Sequence, residues 1–117
     1  YNPATVFSSI DHAGRYCFGN QPNIAQWNLA RLAEALLPLL DTDQSKAIQI
    51  AQETIGSFTE LYQAKWLEMM GYKLGLLNSK PGDEQLINNL LEWMKINQVD
   101  YTNTFRELSQ LKKFQLD

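Results

Sequence analysis

With 117 residues, 44% of them hydrophobic and 20% charged, the chain has the make-up of one ordinary globular domain, which excludes wholesale disorder. A net charge of −3 and a pI near 5.1 exclude a nucleic-acid surface, which clusters Lys and Arg to replace phosphate counterions; the densest basic spot is only Lys112-Lys113. The single cysteine, Cys17, excludes an internal disulfide and a Cys-rich zinc site, and fits a reducing compartment.

No apolar run reaches the roughly 18 residues that cross a bilayer, so no membrane partner is expected. The chain opens on Tyr1-Asn2-Pro3 instead of Met, and we expect it to be a piece of a longer protein. Residues 1–22 show neither a helical nor a strand period. They carry Asn2-Pro3, Asp11-His12-Ala13-Gly14, Gly19-Asn20 and Gln21-Pro22, all turn or breaker signals. A structureless loop this long is usually functional or tied down by a partner.

From Asn23 the texture becomes helical. Ile24, Trp27, Leu32, Ala35, Leu36 and Leu39 recur at helical spacing, while Ala25, Leu29, Ala30, Ala33, Leu37 and Leu40 fill most other faces. A helix over 24–40 that is apolar nearly all round is normally buried on every side. The other ~80 residues are too few to wrap it, so a larger surrounding body is expected. Pro38 and then Asp41-Thr42-Asp43 end this helix, and the carboxylates offer caps for the next.

Residues 44–74 carry Ile48, Ala51, Ile55, Phe58, Tyr62, Trp66 and Met69, spaced by three or four. The regularity admits a coiled coil, but Ala51, the aromatics and the extra apolar Leu61 and Met70 suit packing into a globular groove better. Gly56 marks a bend and Gly75 a C-terminal stop. After the loop Asn78-Ser79-Lys80-Pro81-Gly82, Asp83 is expected to cap a third helix with Leu86, Ile87, Leu90, Leu91 and Met94 on one face. Asp100 is expected to cap a fourth with Tyr101, Phe105, Leu108 and Leu111, with Lys112-Lys113 near its negative end. The fold class is therefore all-α, about four helices preceded by a long loop.

Motifs for chemistry are sparse. The sequence has no GxxxxGK[ST] or GxGxxG phosphate loop, no HExxH and no second histidine beside His12, which a local hydrogen bond or solvent accounts for. Asp41-x-Asp43-x-Ser45 imitates the start of a calcium loop, but Lys46 and Gln52 stand where Gly and Glu are needed, so capping explains it better. Trp27, Trp66 and Trp93 read as core packing. Cys17, near Arg15 in a loop, is either a redox-sensitive thiol or a small residue packed under the loop. Arg31 lies among apolar neighbours and needs a carboxylate, either Asp11 or one outside this chain.

The stretch from Asp11 to Ala33, DHAGRYCFGNQPNIAQWNLARLA, resembles the SDxxGRYxxxxQPxIxxWNLxRLA segment of the selenoprotein O family of kinase-like protein AMPylators. The resemblance continues through Leu36-Leu37-Pro38-Leu39, Lys73-Leu74-Gly75-Leu76 and Val99-Asp100-Tyr101-Thr102 with Phe105-Arg106. Ile10 departs from the usual Ser, and Ala13 from a larger polar residue; the GRY and WNL elements are intact. The resemblance implies a kinase-like fold that binds ATP with Mg (or Mn). It also implies transfer of AMP to Ser, Thr or Tyr hydroxyls of protein substrates, in a bacterial cytoplasm or a eukaryotic mitochondrion. In such proteins the ATP-binding loop, its lysine, an Asp-Asn pair and a metal-binding Asp-Tyr-Gly all precede the matching segment. On that footing residues 1–22 are an activation-segment-like loop, and 23–117 a helical C-lobe portion with 24–40 as its central buried helix. No catalytic, ATP-binding or metal-binding residue is expected in this chain, and neither ATP nor metal is expected bound to it.

The residues singled out are Asp11, Arg15, Tyr16 and Arg31, as loop anchors or substrate-side groups, and Cys17 as a candidate redox thiol. Gly14 permits close backbone approach beside Arg15, and the Tyr16 ring can support its guanidinium. Arg15 then either anchors the loop to a carboxylate or reaches toward ATP phosphate. A stand-alone helical module without catalysis remains the other reading. In both, the chain is expected to self-associate through exposed apolar helix faces, or to fold its first 22 residues back over helix 24–40.

Overall fold

The computed structural model describes residues 1–110, and among them every regular element is helical. A short 3-10 turn at Phe18–Asn20 leads into α1 (Gln21–Leu40), followed by α2 (Gln44–Gly56), α3 (Phe58–Leu74), α4 (Asp83–Ile96) and α5 (Tyr101–Gln110). The expected 44–74 helix is thus two helices, because the chain bends at Gly56 and Ser57, and the described residues hold five α-helices where about four were expected. They form two compact units: Pro3–Ala64, and Tyr1–Asn2 together with the chain from Lys65 onward. The expected contributions of Leu111, Lys112 and Lys113 to the last helix lie outside the described residues.

In the first unit, α1 begins two residues earlier than the breaker signals suggest. Pro22 sits in its first turn, where the missing N–H is unpaired anyway and the fixed φ suits a helix. Pro38 does not end α1 either. It lies inside the last turns and removes one backbone bond, and the helix stops at Asp41, whose backbone is extended. Asp43 caps α2 as expected, its carboxylate accepting from the N–H of Ser45 (2.8 Å) and Lys46 (3.3 Å). Helices α1 and α2 pack on each other, with Ala47 buried and Gln26 Nε2 donating to the Ile55 carbonyl at 3.1 Å. No residue of α1 is buried, and Leu39 is 81% exposed.

In the second unit the buried side chains are Met70, Ile87 and Met94. Gly75, at φ +72, closes α3: the Leu76 N–H reaches the Gly71 carbonyl (2.8 Å) and the Gly75 N–H the Tyr72 carbonyl (3.2 Å). The same paired bonds end α4 at Val99 and Gln98, with Gln98 taking the left-handed position (φ 52) that glycine usually fills. Asp83 is not the cap of α4. Gly82 holds that position with φ +99, and the Asp83 carboxylate instead accepts from the Lys80 N–H at 2.7 Å, closing the preceding turn. Asp100 does cap α5, accepting from the Asn103 N–H at 2.7 Å.

Two further expectations are corrected here. Leu86 is 53% exposed, while Ile87 and Met94 are buried and Leu90 and Leu91 intermediate, so the expected face of α4 stands without Leu86. Trp27 and Trp93, at 45% and 52% exposed, are not core residues; Trp66 is half-buried. Tyr101 joins the second unit's interior to its surface. Its ring lies 5.3 Å from Tyr1 and 4.9 Å from Phe105, and its hydroxyl donates to Met70 Sδ at 3.8 Å. Burial, then the neighbouring Tyr101 and Glu92, pushes the Tyr1 phenol above its ordinary pKa.

Candidate functional site: a pinned loop under Arg15

The loop before α1 is not loosely structured. Backbone bonds from Asp11 to the Ser8 carbonyl (3.1 Å), Gly14 to Asp11 (3.2 Å), Cys17 to Gly14 (3.2 Å) and Gly19 to Pro3 (2.8 Å) fold it into successive turns. Gly14 is required at one of them: its φ is +65, and a Cβ there would stand 3.3 Å from Val6 Cγ2.

These turns converge on Arg15 and Tyr16. Asp11 folds back so that its Oδ1 accepts from the Arg15 N–H at 2.7 Å and its Oδ2 from the Tyr16 N–H at 3.0 Å. On the other side Asn20 Nδ2 donates to the Arg15 carbonyl at 2.8 Å, and Gln21 Nε2 to the Tyr16 carbonyl at 2.9 Å. Both peptide N–H groups and both carbonyls of this dipeptide are therefore held by side chains. A carboxylate accepting two backbone N–H groups makes charge-assisted bonds, stronger than neutral ones. Asp11 is a loop anchor by this geometry, with both oxygens occupied.

The Arg15 guanidinium lies 4.4 Å from the Trp27 ring centroid and 5.7 Å from that of Tyr16. Tyr16 supports it less closely than Trp27, which the sequence reading assigned to packing. Arg31 also lies over Trp27, at 5.1 Å, and pairs with Glu34 at 2.6 Å. The partner expected in Asp11 is thus corrected: Arg31 finds its carboxylate one turn along its own helix. Both members are about half exposed, so the predicted cost of a buried guanidinium does not arise and the pair contributes little by itself. Cys17 is a free, half-buried thiol beside Gly14, and His12 is exposed.

Sequence reasoning missed Asn20, Gln21 and the ring role of Trp27. A signal for the first two was present, since Asn and Gln immediately before a helical Pro offer amides that can reach back to the preceding turn.

Elsewhere in the first unit, α1 and α2 leave an open apolar groove of about 520 Å³ lined by Ala30, Ala33, Leu37, Ile48 and Ile55. Among the described residues no group of three or more His, Cys, Asp or Glu side chains could hold a metal ion. No helix among them is long and apolar enough to cross a membrane.

A family model described as protein adenylyltransferase SelO matches residues 1–117. Among curated proteins the chain is similar to the protein nucleotidyltransferase YdiU of Alkaliphilus metalliredigens, 58% identical over 93% of the chain. It is also similar to the proteins of that name from Nitrosococcus oceani (57% over 92%) and Brevibacillus brevis (55% over 93%). The chain spans 22% of the length of each of these relatives.

Proposed function

The chain belongs to the protein adenylyltransferase SelO family, and from that premise we propose that it is the post-catalytic portion of an enzyme that moves AMP from ATP to Ser, Thr or Tyr hydroxyls of proteins. In that reaction the hydroxyl oxygen attacks the α-phosphorus, the bond between the α-phosphorus and its bridging oxygen breaks, and pyrophosphate leaves. The hydroxyl proton passes to a base outside this chain. On this reading the groups that hold ATP and Mg (or Mn) belong to the rest of the protein. We read residues 1–22 as the activation-segment-like loop and the helices after it as part of a kinase-like C-lobe, working in the cytoplasm of a bacterium.

The observation that carries this reading is the pinned Arg15-Tyr16 dipeptide. Four side-chain bonds hold its backbone, which is more than a linker needs and suits a loop that must present one side chain at a fixed place. Arg15 is the group presented, with Asp11, Asn20 and Gln21 as its anchors; Tyr16 and Arg31 flank it. Cys17 in the same loop is the candidate for redox control.

The exposed apolar residues of α1 favour one further statement, that the 117-residue chain self-associates when cut from the rest. A single set of experiments on that chain addresses both points. Calorimetry with MgATP is expected to show no binding, and size exclusion a dimer or larger species. A micromolar ATP site would contradict the assignment of the nucleotide machinery to the rest of the protein. A monomer with α1 bare would contradict the self-association.

A further inference from the structure

Fixing the Arg15 backbone does not fix its head group, which swings on four rotatable bonds. Among the described residues no carboxylate pairs with it. What its guanidinium meets is the Trp27 ring, at 4.4 Å, nearer than the Tyr16 ring at 5.7 Å. Trp offers the strongest quadrupole of the aromatic side chains, and a guanidinium lying on it keeps its in-plane N–H donors free. Trp27 projects from α1, so its ring is carried by a rigid element while Arg15 is carried by the loop. Arg31 brings a second cation to the same ring, and the Glu34 carboxylate at 2.6 Å offsets the repulsion between the two guanidinium groups.

We infer that Trp27 is the positioning residue for Arg15, a clasp that locks the 11–20 loop to α1 and aims the guanidinium. This rests on the reading of Arg15 as the group the loop presents to the transfer reaction. Since the clasp is a coupling between two side chains, it is measured as one.

The test uses the full-length protein with Trp27→Leu, Trp27→Phe, Arg15→Gln and the Trp27→Leu/Arg15→Gln pair. Hydrogen exchange of peptides covering residues 11–20 is followed alongside AMP transfer. Each single loss of the clasp is expected to speed exchange at the hydrogen-bonded amides of Arg15, Tyr16 and Cys17 by about 2- to 5-fold, the span of a cation–π contact at an exposed site. The double variant is expected to exchange no faster than the single ones, and Trp27→Phe to fall between wild type and Trp27→Leu. Multiplying effects in the double variant, or unchanged exchange in Trp27→Leu, would overturn the clasp. Should Trp27→Leu unfold, seen as faster exchange in α4 as well, Trp27→Phe carries the comparison, and wild-type exchange there with Arg15→Gln raised would overturn it. Coupled exchange with unaltered AMP transfer would uphold the clasp while overturning the functional reading of Arg15.

Discussion

Arg15→Lys in the full-length protein is expected to lower AMP transfer about tenfold, although the charge is kept. Lysine replaces a planar fork of donors with a compact ammonium that neither lies flat on an indole nor meets an oxyanion through two parallel bonds. Losing a charge-assisted bond of that kind costs about 1.5 kcal/mol, which is about tenfold in rate when it is made in the transition state. The melting temperature, measured on the same samples, separates the two roles open to Arg15. Activity lost at unchanged stability means that the guanidinium acts on the reactants; loss of both means that it anchors the loop. Wild-type behaviour in both would show that the four bonds around Arg15-Tyr16 serve something other than its side chain.

The largest effect on stability is expected at Ile87, which is fully buried in the second unit, as are Met70 and Met94. Ile87→Ala removes three carbons from a close-packed site and is expected to cost about 3 kcal/mol, through lost burial and the cavity left behind. Leu86→Ala, one position away on the same helix, is expected to cost less than about 1 kcal/mol because Leu86 is 53% exposed. Urea denaturation of the two variants beside wild type checks the contrast. Equal losses would mean that the rest of the protein covers Leu86 as fully as α4's own neighbours cover Ile87.

That pair also shows where the sequence was legible and where it stopped. Helix existence followed from periodicity, and several ends followed from local chemistry: Asp43 and Asp100 carry the side-chain caps expected of them, and Gly75 the left-handed stop. These signals act within one turn of the chain, so a single sequence contains them whole. Leu86 and Ile87 both fit a helical period, and only the packing partners, far away in sequence, decide which one is buried. Asp83 failed for a different reason: Gly82, with φ +99, takes the cap position, and the Asp83 carboxylate closes the turn before it.

The candidate site was partly legible. Arg15, Tyr16 and Asp11 stood out through the GRY element and the turn residues around it, and the structure brings Asp11 to the backbone of both others. The bonds from Asn20 and Gln21 reach five residues back, across a turn whose geometry periodicity does not encode. Trp27 was hidden by its company: an aromatic among Ile24, Leu29 and Leu32 looks like core, and only its exposure and the guanidinium over its ring reveal another task. Arg31 was misjudged through the same apolar setting, since burial was assumed and a salt bridge within the helix, to Glu34, was overlooked.

The proposal that this chain serves an AMP-transferring enzyme is tested most directly by incubating the full-length protein with a protein substrate and ATP labelled at either the α- or the γ-phosphate. Transfer of AMP places the α-label on the substrate and releases the γ-label as pyrophosphate. Label arriving from the γ-position would identify phosphoryl transfer instead, and label arriving from neither would contradict the reading of the loop and helices as part of an active transferase.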